Sequence, residues 1–106
     1  MLYTVILEFD GLSSVSQFRA SGPEGTLRRW AAGLQTLNKY GLSKPQAKSV
    51  ARAIAVARQL HSAVNDALGV DEEELTPLRG MKNVWCMTAS TTKKKFVLLN
   101  IVATVS

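Results

Sequence analysis

Two stretches of strict alternation, one towards each end of the chain, enclose two stretches of helical spacing. This arrangement constrains the fold more than any other feature of the 106 residues. In residues 2–9, Tyr3, Val5, Leu7 and Phe9 fall on one face and Thr4 and Glu8 on the other, the two-residue period of a half-buried strand. Asp10 and Gly11 tolerate the positive φ angles of a tight reversal, and residues 14–20 alternate again as a return strand. The loop between them reads as longer than two residues, with a bulge at Gly11, Leu12 and Ser13. Further on, residues 81–89 set Met81, Asn83, Trp85 and Met87 against Val84, Cys86 and Thr88. Residues 90–94 supply a turn, and residues 95–105 form a last, strongly apolar strand.

Between the two strand pairs the period changes. Ser21 stands where a helix cap is needed, with Pro23 and Glu24 in the first turn, where a missing N–H costs nothing and a carboxylate suits the helix dipole. Leu27, Trp30, Leu34 and Leu37 then form one apolar stripe, and Gly41 ends the helix near Tyr40. Ser43 and Gln46 have the spacing of a capping box around Lys44 and Pro45. The second helix carries a seam of Val50, Ile54, Ala57, His61, Val64 and Leu68 and is closed by Gly69. Its alanines, Ala47, Ala51, Ala53, Ala55, Ala57, Ala63 and Ala67, permit close approach of the first helix, the sheet or another copy of the chain.

The order is therefore strand, strand, helix, helix, strand, strand. The first and last strands are the most apolar and belong in the middle. The expectation is an α+β fold, a four-stranded antiparallel sheet of order 2-1-4-3 with two helices on one face, in a single domain over residues 1–106. An apolar content of 46% against 20% charged suffices for one core without metal or cofactor. Cys86 is the sole cysteine, so no internal disulfide forms. The chain shows neither a signal-peptide pattern nor an apolar run long enough for a membrane span, which leads to an expectation of a cytoplasmic protein without membrane association.

Charge is unevenly spread. Residues 1–20 carry −1, 21–68 carry +5, 69–80 carry −3 and 81–106 carry +4, for a net +5. A basic middle and a basic tail thus flank the acidic run Asp71, Glu72, Glu73 and Glu74, read as a solvated connector. Lys44, Lys48 and Arg52 recur every four residues on the second helix, with Arg58 near the same side, and Lys93, Lys94 and Lys95 follow Ser90, Thr91 and Thr92 in the last hairpin. With Arg28 and Arg29 these are candidates to track the phosphates of a nucleic acid. Against that stand the lack of RNP-type aromatics, a GXXG junction or a zinc finger, and the frequent use of lysines as guards beside apolar strands.

Catalytic chemistry has little to work with, and the chain reads as no enzyme. His61 lies on the apolar seam and Cys86 in a strand between Trp85 and Met87, positions that packing explains. No spacing of His, Cys and carboxylates suits a metal, and Gly22, Pro23, Glu24 and Gly25 precede a helix without the lysine of a phosphate loop. An enzymatic reading would rest on a lone carboxylate such as Glu8.

The last strand is apolar on both faces. Val97, Leu99, Ile101, Ala103 and Val105 face the helices, which leaves Phe96, Leu98 and Val102 on the far side with Leu2 and Ile6 of the first strand. Such a patch needs a cover: the loop over residues 69–80, a second copy in a homodimer, or another protein. Phe9-Asp10-Gly11, then Ser16-Gln17 and Ala20, Leu27, Trp30-Ala31, and Val84-Trp85-Cys86 before a final apolar strand resemble small bacterial single-domain immunity proteins of toxin systems. The resemblance implies a stoichiometric inhibitor of a cognate toxin, without catalysis. It assigns no contact residues. Immunity proteins that block nucleases are often acidic, so the positive charge here argues against a nuclease partner. Two readings stay open: a protein-interaction module using the far sheet face, and a basic nucleic-acid-binding protein.

Overall fold

The computed structural model describes residues 1–36, 39–69, 75–77 and 83–104. Strand β1 (Leu2–Phe9) turns directly into β2 (Leu12–Arg19), with Phe9 paired to Leu12. The expected bulge is absent, because Asp10 at φ 49° and Gly11 at φ 78° form a two-residue turn whose twist matches that of the strands. The return strand therefore begins at Leu12, two residues earlier than its alternation suggested.

Helix α1 (Pro23–Gly33) starts with Gly22, not Ser21, at the cap position, and no side chain caps it. Instead the Thr26 hydroxyl donates to the Gly22 carbonyl within the first turn, at 3.0 Å. The helix also ends well before Tyr40. Its last turn tightens, with Leu34 N–H donating to Ala31 O and Gln35 N–H to Ala32 O, each three residues back. The buried Tyr40 hydroxyl, arriving from the following loop, donates to Trp30 O at 2.7 Å. Its ring stacks on Trp30 with centroids 5.1 Å apart. This packing leaves no room for a side chain at position 33, since a Cβ there would overlap the Tyr40 hydroxyl. Leu37, assigned to the apolar stripe, lies outside the described residues.

Helix α2 (Lys44–Leu68) has the ends its sequence predicts. Ser43 Oγ accepts from Gln46 N–H at 3.3 Å, Gln46 Oε1 accepts from Ser43 N–H at 2.9 Å, and Gly69 closes the helix in the left-handed conformation. Its seam is buried at the start and exposed at the end, and the side chain of Val64 lies outside the described residues. Val50, Ala53 and Ile54 are in the core, whereas Leu68 is 69% exposed, as are Leu60 at 62% and Val56 at 45%.

The remaining strands are β3 (Thr76–Pro77), β4 (Val84–Ser90) and β5 (Phe96–Thr104). The sheet order is β2-β1-β5-β4-β3, antiparallel throughout. The four long strands stand in the expected order 2-1-4-3, and β3 adds a short edge that alternation over two residues could not signal. Pro77, which has no N–H to donate, suits that edge. Asn83, expected within a strand, instead precedes β4 at φ 62°, and its carbonyl accepts from Ala103 N–H. Met81, Val105 and the acidic residues Asp71, Glu72, Glu73 and Glu74 lie outside the described residues.

Both helices pack on one face of the sheet, α1 against β1, β2 and β5 and α2 against β4. The core between them joins Tyr3, Val5, Leu7 and Phe9 to Val97, Leu99, Ile101 and Ala103, to Met87 and Ala89, and to Leu27, Trp30 and Val50. Leu75, just ahead of β3, is fully buried in the same core.

Gly33→Ala should destabilise the protein by about 1–3 kcal/mol through overpacking. Tyr40→Phe should cost a similar amount by stranding Trp30 O. Their combination should cost less than the sum, because removing the hydroxyl relieves part of the overlap. Denaturant titrations of the three variants check this. Burial pushes the Tyr40 phenol up from 10.0 to about 12. Its contribution to stability should therefore be intact below pH 10 and be lost as pH rises towards 12, where the unfolded chain gives up a proton that the folded one holds. The difference in denaturation midpoint between wild type and Tyr40→Phe should shrink over that interval.

Candidate functional site

The far face of the sheet is laid out by the strand registers. Across β2, β1, β5 and β4, one row reads Ser13, Glu8, Leu98 and Thr88, the next Val15, Ile6, Asn100 and Cys86, and the third Gln17, Thr4, Val102 and Val84. Leu2 lies in a fourth row between Arg19 and Thr104, and Phe96 lies beyond the first, opposite Ser90. All five residues assigned to this face, Leu2, Ile6, Phe96, Leu98 and Val102, are on it. Phe96 is 75% exposed, and the other four are half-buried.

They do not form an unbroken apolar sheet. Ile6 neighbours Leu98 and Val102 diagonally, a separation that branched side chains can bridge, while Asn100 stands directly opposite it. Thr4 is tied into a polar line, its hydroxyl 3.0 Å from that of Thr104 and accepting from Gln17 Nε2 at 3.2 Å. Two apolar members escaped the sequence reading. Val15, directly beside Ile6, is 66% exposed, and Val84 pairs with Val102. The signal for Val15 was its place opposite Ile6, which only the two-residue turn fixes.

Of the connector expected to cover this face, residues 75–77 run along the β4 edge, with Thr76 opposite Cys86 and Pro77 opposite Trp85, and Leu75 turns to the helix side. The rest of the connector lies outside the described residues. Cys86 is half-buried and free. It sits on the far face, between the inward-facing Trp85 and Met87, whereas His61 is on a helix packed against the opposite face, so the sheet separates the two. Among the described residues no group of three or more His, Cys, Asp or Glu could hold a metal ion, and no helix is long and apolar enough to cross a membrane.

The basic residues fall into separate places. Arg28 and Arg29 are exposed on α1, and Arg29 donates to Arg19 O beside a hollow of about 550 Å³ that also takes in Lys39 and Phe18. The stripe Lys44, Lys48 and Arg52 lies on α2, which packs on the same face as α1 but over β4. Lys44 and Lys48 rim a hollow of about 440 Å³ floored by Leu34, Leu42, Ala47 and Ala51. Lys48 and Arg52 line a further cleft, of about 280 Å³, against the hydroxyl residues Ser90, Thr91 and Thr92. Lys93 and Lys94 are exposed on the β4–β5 turn. Lys95 leaves this group, because its ammonium pairs with Asp10 Oδ2 at 2.9 Å and ties the β4–β5 turn to the β1–β2 turn. The eight cations assigned together thus do not converge: Arg28 and Arg29 stand apart and Lys95 is paired.

No family model, curated protein or solved structure matches this chain.

Proposed function

We propose that this chain is a non-enzymatic protein-interaction module that uses the far face of its sheet, and that it acts as an immunity-type binder of a cognate protein. The observation that carries the reading is the open face itself: Val15, Ile6, Leu98, Val102, Val84 and Phe96 stand on one side of a sheet whose other side is filled by two helices. Four strands of this length span about 19 Å by about 27 Å. That is about 500 Å² in projection, the larger part of the roughly 800 Å² that each partner contributes to a standard interface. The polar residues between the apolar ones suit a non-obligate contact, in which apolar anchors are ringed by hydrogen-bonding groups. Glu8, Asn100, Gln17 and Thr4 supply those groups here. The resemblance to small immunity proteins favours a partner of different sequence over an enzyme's small-molecule substrate.

In isolated protein the same face is the natural seat for a second copy, by a twofold contact. Light scattering should show a homodimer forming between low and high micromolar concentration. Phe96→Ser with Val15→Ser should weaken it at least tenfold, about 1.4 kcal/mol, while leaving the melting temperature within a few degrees, since both side chains already face water. A strict monomer at high micromolar concentration would exclude self-association. Unchanged association in the double variant would remove the face from consideration.

A further inference from the structure

The cleft between α2 and the β4–β5 turn has a chemistry that the interaction face does not use. Helix α2 contributes Lys48, Ser49 and Arg52, one turn apart along one side, with Ala53 and Val56 as apolar wall. The hairpin contributes Ser90, the last residue of β4, and Thr91 and Thr92 of the turn. Two cationic side chains and hydroxyl-bearing residues around about 280 Å³ form a lining rich in donors. Among the described residues no carboxylate lines it, and neither Lys48 nor Arg52 has one within ion-pair distance.

Hydrogen bonding in the turn strengthens this character. Thr91 Oγ1 accepts from Lys95 N–H at 3.2 Å, and Thr91 O accepts from Lys94 N–H at 2.9 Å. The Thr91 oxygen is thereby engaged as an acceptor, and its own hydroxyl proton remains to be donated. A tetrahedral oxyanion matches such a site, taking charge-assisted bonds from guanidinium and ammonium and further bonds from neutral hydroxyls.

The cations also continue past the cleft. Lys44 lies one turn before Lys48, and successive members of the Lys44, Lys48, Arg52 series advance by about 6 Å along the helix axis. That repeat is on the scale of the spacing between successive phosphates of a polynucleotide. Lys93 and Lys94 extend the charge onto the turn.

We propose that this cleft seats a backbone phosphate of a nucleic acid, with Lys44, Lys93 and Lys94 meeting its neighbours. Among the described residues no aromatic side chain lines the cleft to stack a base, so the contact is to the backbone and carries no base preference. The cleft is on the helix side of the sheet, and the phosphate contact is independent of the far face.

The test is fluorescence anisotropy of a labelled 20-base-pair DNA duplex, titrated with the whole chain across a series of salt concentrations. About four phosphate contacts predict a slope of log affinity against log salt near −3.6. Lys48→Ala with Arg52→Ala removes the one phosphate they share and should bring the slope to near −2.7, one contact fewer. Thr92→Val should lower affinity about tenfold with the slope unchanged, because a neutral hydroxyl displaces no counterion. All these side chains are exposed, and unchanged thermal melts would establish that the variants fold. Full affinity in the hydroxyl variant would overturn the proposal by reducing the binding to diffuse charge. So would an unchanged slope in the Lys48 and Arg52 variant. Inorganic phosphate alone supplies the last arm: if it perturbs the amide resonances of Ser90, Thr91 and Thr92 while the duplex perturbs none of them, the cleft serves a small phosphate and the nucleic-acid assignment fails.

Discussion

The ladder between β1 and β5 is the contact on which everything else rests. It joins Leu2 to Thr104 and Phe9 to Val97, and so brings the two most apolar strands together in the middle of the sheet. Each of these strands then has a second neighbour from its own hairpin, β2 for β1 and β4 for β5. The inner faces of the central pair supply the floor onto which Trp30, Leu27 and Val50 pack. Without that ladder the chain has two separate hairpins, each marginal alone in water, and two helices with nothing to cover.

The same ladder creates the proposed interaction surface. A strand buried on its inner face and apolar on its outer one presents hydrophobic residues to whatever lies outside, and β5 does this at Phe96, Leu98 and Val102. The two candidate surfaces therefore have different origins. The far face follows from the composition of the central strands, while the basic cleft follows from the β4–β5 turn reaching α2 beside its charged stripe. One is made of side chains that strand pairing aligns, the other of groups brought together from positions about forty residues apart in sequence.

How much of this could be read from the chain depends on the range of the interaction. Alternation and capping are local, and the strands, the Ser43 and Gln46 capping box and the sheet order all follow from them. What escaped was set by tertiary contact. The end of α1 is fixed by Tyr40 returning to Trp30 O, a bond between residues ten apart that outweighs the helical spacing continuing to Leu37. The pairing of Lys95 with Asp10 joins two turns 85 residues apart, and nothing local marks it within a run of three lysines. Leu60 and Leu68 are exposed although apolar, which no period within the helix records. Val15 went unnoticed as part of the face because the register of β2 turns on whether two residues or more make the hairpin turn.

The direction of the central ladder has a mechanical side. Because β1 and β5 are antiparallel and Leu2 faces Thr104, the outer ends of the two central strands emerge at the same edge of the molecule. A force pulling those ends apart would act across the ladder, not along it. The hydrogen bonds would then be loaded one pair at a time, starting at Leu2 and Thr104 and travelling towards Phe9 and Val97. A sheet whose end strands leave from opposite edges would share such a load among all its bonds in shear. This one would open like a zipper under modest tension, exposing Val5 with Ile101 first and then Leu7 with Leu99.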